Sequence, residues 1–422
     1  MGFPPSLCWH VRSLFAALVL CSLAFGQSVP FPGALCWVQT GRVAALAFSP
    51  DARSLFVATA ERVELWEVRT SAKIQDYRGH TGIVWCLALS PDGTRLYTGG
   101  VDQRVFLWDV PSGRSLASVT LPSEVFALAL GEDLLAVGLG DGRVLLLDPR
   151  DLGVRGELRH ESSGVLALAT DGSGRYLVGA GDDGTVYIWH VPTRERIGFL
   201  SAHRRAVWSV ALSPDGKTLA TASADGTVRL WSFPAGRELA TLGGYKAGAW
   251  GVTFVRRGEF LAASFGDLTV RIWKTMVWEE VGALRAHKAQ IKSVAAHEHL
   301  LATASEDGKI IVWDVNELLS LRPHVRHGLF SREISRSQYI VVNFADANGD
   351  VVGVKLLVEE EYPGTVQLSP GPSFDPKVRG RTQGTFGFSV TVTRPQNVRI
   401  TIILTDALGL QSPPLSPAFV AR

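Results

Sequence analysis

A histidine, a serine and an aspartate occur together in this chain, and these are the residue types of a nucleophilic hydrolase. One such set is His203, Ser223 and Asp225. In a hydrolase the histidine takes the proton of the serine hydroxyl, and the aspartate orients the imidazole. The same types return at His287, Ser305 and Asp307. An active site does not need a second copy, so we predict structural hydrogen-bonding roles for these residues and no catalytic residue.

Signals for a metal ion or a cofactor are weak. His297 and His299 could share a metal ion, but no third ligand is evident. Asp346, Asn348 and Asp350 have the spacing of a calcium loop, yet the glutamate that should close such a loop is absent, and an Asn-Gly turn explains these residues without a metal. The sequence also has no glycine-rich phosphate loop followed by lysine. We therefore predict no metal and no cofactor.

The segments that carry these side chains repeat with a period of about 40 residues. Seven segments end on a tryptophan or its replacement, and successive ends are 42, 39, 42, 42, 42 and 40 residues apart. A period of this length predicts an all-β ring of four-stranded blades. The segment ends are Trp66, Trp108, Leu147, Trp189, Trp231, Trp273 and Trp313.

One repeat shows the unit. Residues 213–216 read Ser-Pro-Asp-Gly, a tight turn in which proline presets its φ and glycine supplies a positive φ. Asp225 and Gly226 form a hairpin turn. Alternating apolar residues between these turns predict strands. The four strands of this blade are predicted at residues 207–212, 219–223, 228–231 and 236–242.

These repeats resemble the WD-repeat (Trp-Asp repeat) β-propeller family, and we predict a propeller domain over residues 27–315. Literal Trp-Asp pairs end two repeats, at Trp108 and Trp313, and Gly-His or Ala-His opens three. The resemblance implies a seven-bladed β-propeller with an internal hydrogen-bonding tetrad in each complete blade. The implied tetrads are His203, Ser223, Asp225 and Trp231, and His287, Ser305, Asp307 and Trp313.

Several repeats depart from the family pattern. The first has Ala60 in place of the turn aspartate, and the third has Leu121 in place of the histidine. The sixth has Tyr245 in place of the histidine. The second has His80 but carries Gly100 at the serine position, so we expect a shorter hydrogen-bond network in that blade.

The resemblance also explains the two ends of the repeat region. Residues 33–38 resemble a fourth strand without the first three, and Trp313 closes a third strand with no fourth strand after it. Pairing these two segments completes the last blade from both ends of the region. The ring then closes without an exposed sheet edge, which removes a site of aggregation.

The best candidates for function lie one residue after the first apolar residue of each inner strand. In the family these positions open on the narrow face around the channel, where peptides commonly dock. Large aromatic side chains that converge there would supply the anchors of a binding patch. The alternative is that they pack between blades. The positions are Ala44, Trp85, Phe126, Leu166, Trp208, Trp250 and Lys292.

Charged residues accompany these positions. In the family, the residue before each turn aspartate faces the same mouth, and here Asp182 and Glu306 hold that place. Lys292 is the one base among the inner-strand positions. A peptide of mixed charge is therefore the predicted partner, bound by Trp85, Phe126, Leu166, Trp208, Trp250, Lys292, Asp182 and Glu306.

The first 26 residues predict a secretory signal peptide. An apolar run at residues 14–25 is followed by small residues, Ala24 and Gly26, at the positions that precede a cleavage site. The run is too short to cross a bilayer core of about 30 Å, so no membrane span should remain after cleavage. An uncleaved anchor is the alternative.

Two cysteines remain after removal of this segment. Cys36 is predicted on an outer strand of the last blade, and Cys86 on an inner strand of the second. Their separation leads us to expect two buried free thiols. Free thiols in an exported protein favour a bacterial envelope, where disulfides are not obligatory.

Beyond the repeats, residues 316–329 are predicted to be a linker containing Pro323, and residues 330–422 a second β domain. Asn348 and Gly349 give a hairpin signal between two apolar strands. The final segment loosely resembles bacterial extracellular immunoglobulin-like domains, which implies a β-sandwich. Its strands are predicted at residues 338–344, 351–358, 385–392 and 398–405.

These observations favour a non-catalytic scaffold, exported to the bacterial cell envelope, that binds a protein or peptide through the channel mouth. The net charge of +2 is spread without a basic tail, so we predict no nucleic-acid partner. We also predict a monomer. Two alternatives remain: a structural or adhesion protein of the envelope, and a small-molecule binder or hydrolase at the mouth.

Overall fold

The computed structural model describes residues 34–40, 43–245 and 247–320, and beyond them a series of strands between His324 and Ala421. Within residues 34–314, strands β1 to β28 form seven four-stranded antiparallel sheets. The inner strand of each sheet contacts the inner strands of its two neighbours, and β2 of the first blade contacts β26 of the last. The described repeats therefore close into a seven-bladed β-propeller.

The strand bounds follow the repeat. Strand β1 is Ala34–Gln39. Blade 1 has β2 (Ala45–Phe48), β3 (Ser54–Ala58), β4 (Arg62–Glu67) and β5 (Lys73–Arg78). Blade 2 has β6 (Val84–Leu89), β7 (Arg95–Gly100), β8 (Arg104–Asp109) and β9 (Ser115–Thr120). Blade 3 has β10 (Val125–Leu130), β11 (Leu135–Leu139), β12 (Arg143–Leu147) and β13 (Val154–Arg159). Blade 4 has β14 (Val165–Thr170), β15 (Tyr176–Gly181), β16 (Thr185–His190) and β17 (Glu195–Ser201).

The remaining blades continue the series. Blade 5 has β18 (Val207–Leu212), β19 (Thr218–Ser223), β20 (Thr227–Ser232) and β21 (Glu238–Gly243). Blade 6 has β22 (Ala249–Val255), β23 (Phe260–Phe265), β24 (Val270–Lys274) and β25 (Glu279–Leu284). Blade 7 has β26 (Ile291–His297), β27 (Leu300–Ser305) and β28 (Lys309–Asp314), and its fourth strand is β1.

Burial changes from the middle of each blade to its outside. The second strand is covered on both faces by neighbouring blades, and in β19 every residue after Thr218 is buried. In the outer strand β21 most side chains are exposed to solvent, and Leu239 is one of them. The repeated tryptophan wedges between blades, because Trp273 lies in one apolar cluster with Ala220 of blade 5 and Leu261 of blade 6. Face-to-face packing of this kind explains the continuous apolar runs of the middle strands.

The ring is closed by β1, the strand at the start of the repeat region. Strand β1 pairs antiparallel with β28, and Val38 stands opposite Ile310. Both side chains lie in the apolar core shared by blades 7 and 1. The segment predicted to complete the last blade, residues 33–38, thus coincides with β1 from Ala34 onward, and the pairing covers the edge that β28 would otherwise expose.

A glycine in the hairpin turn between β19 and β20 of blade 5 packs against the loop that leads into blade 6. Gly226 has a φ of 87°, a conformation that favours glycine. A Cβ atom at this position would lie 2.0 Å from the carbonyl oxygen of Tyr245, in the loop that enters blade 6. The Asp-Gly turn therefore provides both a positive φ and the close approach of two loops on the same face.

The segment predicted to be a linker, residues 316–329, contains regular structure. Helix α1, Val315–Ser320, begins there, and strand β29, His324–Leu329, follows. Asp314 caps the helix, because its Oδ1 accepts the backbone N–H groups of Asn316 and Glu317 at 2.8 and 3.2 Å. Leu318 is buried in the core of the last blades. An apolar contact and a cap thus give structure to part of a segment whose proline suggested none.

The strands from His324 onward form two further four-stranded sheets. One has the order β29-β31-β34-β33 and the other β30-β36-β35-β32. The new strands are β30 (Glu333–Ile334), β31 (Ser337–Ala345), β32 (Val351–Glu360), β33 (Val366–Ser369), β34 (Gln383–Val392), β35 (Gln396–Asp406) and β36 (Ala418–Ala421).

The hairpin expected at Asn348 and Gly349 is a wrong prediction. Strands β31 and β32 belong to different sheets, and both edges of β31 are occupied, by β29 and β34. A local turn signal therefore did not decide the pairing. Residues 346–350 lie outside the described residues, and the immunoglobulin-like sandwich stays a prediction.

Three further predictions concern the start of the chain and its thiols. The signal peptide lies outside the described residues, as does the side chain of Cys36. Cys86 is a buried free thiol on β6, and burial raises its pKa. No helix in the described part of the chain is long and apolar enough to cross a membrane.

Candidate functional site

The hydrogen-bonded set in blade 5 differs from the predicted one by a single residue. The indole Nε1–H of Trp231 donates to Thr221 Oγ1 at 3.1 Å, and Thr221 Oγ1 lies 2.7 Å from His203 Nε2. His203 Nδ1 lies 3.0 Å from Asp225 Oδ2. The hydroxyl of this tetrad is therefore that of Thr221, and the prediction of Ser223 was wrong.

Ser223 has a different role. Its hydroxyl accepts the backbone N–H of Asp225 at 3.1 Å and donates to the carbonyl oxygen of Arg205 at 3.1 Å. Thr221 and Ser223 lie on the same face of β19, since side chains alternate along a strand. Ser223 is nearer the channel mouth, where it stabilises the hairpin turn, whereas Thr221 lies deeper, within reach of the indole.

Blade 7 repeats this arrangement. His287 Nε2 lies 2.8 Å from Thr303 Oγ1, and Trp313 Nε1–H donates to the same oxygen at 3.2 Å. His287 Nδ1 lies 3.3 Å from Asp307 Oδ2. Ser305 was predicted in the tetrad, but its hydroxyl donates to the carbonyl oxygen of Ala289 instead, at 2.9 Å.

Blade 2 also has a complete network, so the expectation of a shorter one at Gly100 was wrong. Thr98 Oγ1 lies 2.8 Å from His80 Nε2 and accepts the indole N–H of Trp108 at 2.9 Å. His80 Nδ1 lies 2.9 Å from Asp102 Oδ2. Gly100 occupies the place of Ser223, outside the tetrad, and its lack of a hydroxyl does not interrupt the network.

These tetrads are buried and their histidines favour the neutral form. Burial lowers the pKa of His80, His203 and His287, against the opposing effect of the neighbouring aspartates. A neutral ring that donates Nδ1–H to the carboxylate leaves Nε2 to accept the threonine hydroxyl. The serine hydroxyl bonds to backbone groups, so the geometry of a Ser-His-Asp nucleophile is not formed.

Blade 6 replaces the histidine network with a charged one. Tyr245 donates its hydroxyl to Glu280 Oε2 at 2.8 Å. Arg271 donates to Glu280 Oε1 and to Asp267 Oδ2, both at 3.0 Å, and its guanidinium carbon lies 3.7 Å from the centre of the Tyr245 ring. The pKa of Tyr245 is raised to about 12, mainly because the phenol is buried and also because it bonds to Glu280. Tyr245 therefore keeps a structural role where the family histidine is absent.

A cavity of about 620 Å³ opens at the channel mouth, and all seven predicted inner-strand positions line it. Its lining adds three residues that the sequence analysis did not select. Val43 directly precedes Ala44, Ile83 lies two residues before Trp85, and Ala60 replaces the turn aspartate of blade 1. That loss of a polar turn residue was the signal that could have identified Ala60. The lining is Val43, Ala44, Ala60, Ile83, Trp85, Phe126, Leu166, Trp208, Trp250 and Lys292.

The aromatic residues of the mouth both pack between blades and face the cavity. Trp208 of blade 5 stacks on Trp250 of blade 6, with ring centroids 5.0 Å apart and an interplanar angle of 25°. Trp85 and Phe126 of neighbouring blades have centroids 6.3 Å apart. Trp85 and Trp208 are each 38% exposed. The sequence left open whether these rings face the channel mouth or pack between blades, and in the structure they do both.

Glycine makes room for one of these rings. A Cβ atom at Gly140 would lie 2.9 Å from the ring of Phe126 and 3.0 Å from Glu124 Oε2. Contacts this short would force the ring to move. The absence of a side chain at Gly140 thus allows Phe126 to lie against the hairpin turn of its own blade.

The charged residues of the prediction take different places. Lys292 lines the cavity, with Nζ 3.9 Å from the centre of the Trp250 ring and 3.6 Å from Glu306 Oε1. Glu306 therefore lies next to the cavity lining and pairs with Lys292. Asp182 is exposed and accepts the hydroxyl of Ser163 near the start of blade 4. Neither acid lines the cavity itself.

The described residues include no group of three or more histidine, cysteine, aspartate or glutamate side chains that could hold a metal ion. The mouth is instead an apolar, aromatic cavity with one cation in its lining. Such a surface can bury an apolar side chain and neutralise a nearby carboxylate.

Comparison with known proteins agrees with the propeller. The family model described as "WD domain, G-beta repeat" (WD40) matches residues 71–109, 154–190, 194–232, 236–274 and 278–314. The chain thus carries WD40 repeats within a seven-bladed β-propeller. Propellers of this class generally bind proteins and generally act as scaffolds without enzymatic activity.

Three curated proteins are similar to 151 residues, or 35%, of this chain. Transducin-like enhancer protein 2 of Mus musculus is 35% identical, and Protein groucho of Drosophila melanogaster is 33% identical. Transcription factor unc-37 of Caenorhabditis elegans is 32% identical. The alignment spans 20% of the first two proteins and 24% of the third.

A solved structure shows the same fold. The β-propeller domain of Myceliophteria thermophila Cps50 (Swd1) superposes with a TM-score of 0.62 at 20% sequence identity. The match covers 66% of this chain and 99% of that domain. At this identity the similarity extends to the fold alone.

Proposed function

We propose that this protein is a non-catalytic scaffold that binds a peptide segment of a partner protein through the channel mouth. The observation that carries the proposal is the convergence of seven equivalent inner-strand positions on one cavity. Four of these positions hold large aromatic rings: Trp85, Phe126, Trp208 and Trp250.

The energetics of the mouth suit a peptide. Partly exposed aromatic rings held by stacking lose little conformational freedom on binding, so their contacts contribute strongly to affinity. Trp208 is held in this way by Trp250. A cavity of about 620 Å³ has room for one or two apolar side chains, while the rest of a peptide could lie across the face.

We further propose that the protein is exported to a bacterial envelope and works as a monomer. The support is the sequence of residues 1–26, with its apolar run and small residues before the cleavage position. The name of one similar protein describes a transcription factor, but the similarity covers 24% of that protein. The export signal of this chain therefore carries more weight for its location than that name.

Peptide display tests the binding proposal. Full-length protein without residues 1–26 is used to select from a random peptide library, beside a variant with Trp85, Trp208 and Trp250 changed to alanine. A matched control changes Phe199 and Leu239, which are exposed on outer strands, to alanine. We expect wild type and control to enrich the same peptides and the mouth variant to lose them, while circular dichroism shows that all three are folded.

Other outcomes would reject the proposal. Enrichment that survives in the folded mouth variant would place binding elsewhere on the molecule. Absence of enrichment together with binding to cell-wall polysaccharide would favour a structural or adhesion role. Export is tested separately, by fractionating cells that express the full chain and sequencing the mature N-terminus. Recovery of the uncut chain in the cytoplasm would reject it.

A further inference from the structure

The mouth has an uneven distribution of charge that the aromatic residues do not explain. Blades 5, 6 and 7 each carry a base four residues before the cavity position, at Arg204, Lys246 and Lys288, which are 42 residues apart. The equivalent residues of blades 1 to 4 are uncharged. They are Thr40, Thr81, Pro122 and Ser162.

The structure shows why this position presents its side chain to solvent. The backbone N–H of Arg204 donates to Asp225 Oδ2 at 3.2 Å, and that of Lys288 donates to Asp307 Oδ2 at 2.8 Å. The turn aspartate thus holds the backbone on the mouth face, and both side chains are exposed. Lys246 belongs to the sequence pattern but lies outside the described residues.

Two more bases join this arc. Arg205 is exposed beside Arg204, in the loop that precedes Trp208. Lys292 lines the cavity over the Trp250 ring. Glu306 offsets one charge by pairing with Lys292 at 3.6 Å. Nearly every blade has a turn aspartate, so these residues do not distinguish the blades. Among the other charged side chains on the mouth face of blades 5 to 7, basic residues outnumber acidic ones.

Blades 3 and 4 carry the opposite charge. Glu124 lies two residues before Phe126, with its Oε2 2.9 Å from Ser123 Oγ. Asp182 is exposed on the hairpin turn of blade 4. These acids disfavour a second acidic segment on their side, since like charges at a binding surface are repulsive.

We propose that the partner peptide carries acidic residues on one side of an apolar or aromatic anchor. The inference rests on the proposed function. The anchor enters the cavity between the Trp85 and Trp208 faces, and the acidic residues lie over blades 5 to 7. Arg204, Arg205 and Lys288 attract these residues, and Lys292 binds the carboxylate nearest the anchor.

A peptide fits this mouth better than a nucleic acid. A polyanion would bring charge to blades 3 and 4 as well, where Glu124 and Asp182 lie. The apolar cavity also favours a partner with an apolar side chain. Complementary charge on one side only would fix the direction in which the peptide crosses the mouth.

A defined peptide array tests the charge rule. Nonapeptides with a central tryptophan carry Asp, Lys or Ser on each flank in all combinations. They are titrated by fluorescence anisotropy against three proteins: wild type, a variant with Arg204→Glu and Lys288→Glu, and a charge-matched control with Lys217→Glu and Arg237→Glu. The control residues are exposed on turns at the ends of β19 and β21 that lie away from the mouth.

We expect wild type to bind peptides with Asp on one flank about fivefold more tightly than peptides with Ser on both, with the difference reduced by salt. The mouth variant should lose this preference and the control should keep it. Equal binding of Asp-flanked and Ser-flanked peptides to wild type would overturn the charge rule and leave the proposed function intact.

The remaining outcomes are also decisive. If wild type binds no peptide of the array while the random library in the display experiment yields binders, the acidic-flank rule is overturned. If neither yields binders, the proposed function falls with it. Displacement of a bound Asp-flanked peptide by a thymidine oligonucleotide at equal phosphate and carboxylate concentration would favour a polyanion and overturn the peptide inference.

Discussion

At the scale of single residues, the stability of this propeller depends on hydroxyl groups that bridge two buried nitrogens. Thr98, Thr221 and Thr303 each accept an indole N–H and lie within hydrogen-bond distance of a histidine Nε2. All three threonines are fully buried. Removing such a hydroxyl leaves two buried polar groups without their partner, which costs more than losing one exposed hydrogen bond.

Replacing Thr221 by valine tests this role. Valine keeps the shape of threonine, so the effect reports the hydroxyl itself. We expect Thr221→Val to lower the free energy of unfolding by about 1–3 kcal/mol, measured by urea denaturation. Thr218→Val on the same strand is the control and should change stability by less than about 0.5 kcal/mol. Equal effects of the two substitutions would show that the hydroxyl bridge is not important.

At the scale of elements, one blade differs from the other six because its strands come from both ends of the repeat region. Strand β1 covers the edge of β28, and Val38 contributes its side chain to the core shared by blades 7 and 1. The joint resists opening because separating β1 from β28 exposes this apolar core and an unpaired strand edge together. The other six blades are each formed by consecutive strands.

A charge placed in this joint should open the ring. Val38→Asp buries a carboxylate without a partner, and we expect it to lower the free energy of unfolding by at least about 2 kcal/mol. The freed edge of β28 should also promote self-association, visible by size-exclusion chromatography. Ile74→Asp is the matched control, because Ile74 is 54% exposed on the outer strand β5. Val38→Asp protein that remains monomeric and as stable as the control would contradict the closure argument.

At the scale of the whole molecule, buried histidines distributed over four blades couple stability to pH. Burial is the largest cause that lowers the pKa of His80, His160, His203 and His287. In the unfolded chain a histidine titrates near its ordinary pKa of about 6.5 and then binds more protons than in the folded chain. The stabilising contribution is therefore complete above this pH and is lost as the pH falls.

The resulting prediction concerns mild acid. We expect the urea midpoint to be constant above about pH 7 and to fall steadily between about pH 6.5 and 5. Below that range Asp225 and Asp307 add to the loss, because their own pKa values are lowered in the folded protein. His203→Gln, compared with its own midpoint at neutral pH, should show a shallower decline. A midpoint that rises on acidification would contradict the prediction.

Much of the fold could be read from the sequence because its signals are local. The tryptophan period, the Ser-Pro-Asp-Gly turns and the Asp-Gly turns set the number of blades and the faces of each strand. The strand at residues 33–38 had no partner in its own repeat, and the family architecture implied its pairing with the last blade. The cavity positions came from the resemblance to the WD-repeat family, in which the equivalent residue of each inner strand opens on the channel.

Other features could not be read from the sequence because they depend on contacts between segments that are distant along the chain. Thr221 and Ser223 lie on the same face, and only the reach of the Trp231 indole selects Thr221. The 5.0 Å stacking of Trp208 on Trp250 joins two blades, and no pattern within one repeat specifies it.

The sequence therefore determined the number of blades and the strands of each repeat, and its resemblance to a known family added the closure of the ring and seven of the ten residues that line its mouth. Alternation and repeat period act within a segment, where neighbours along the chain fix which side a residue faces. The tertiary structure alone decided which hydroxyl bridges histidine and tryptophan, how Leu318 docks helix α1, and which partners β31 takes. These choices depend on depth along a strand and on competition between distant segments, and local patterning carries no information about either.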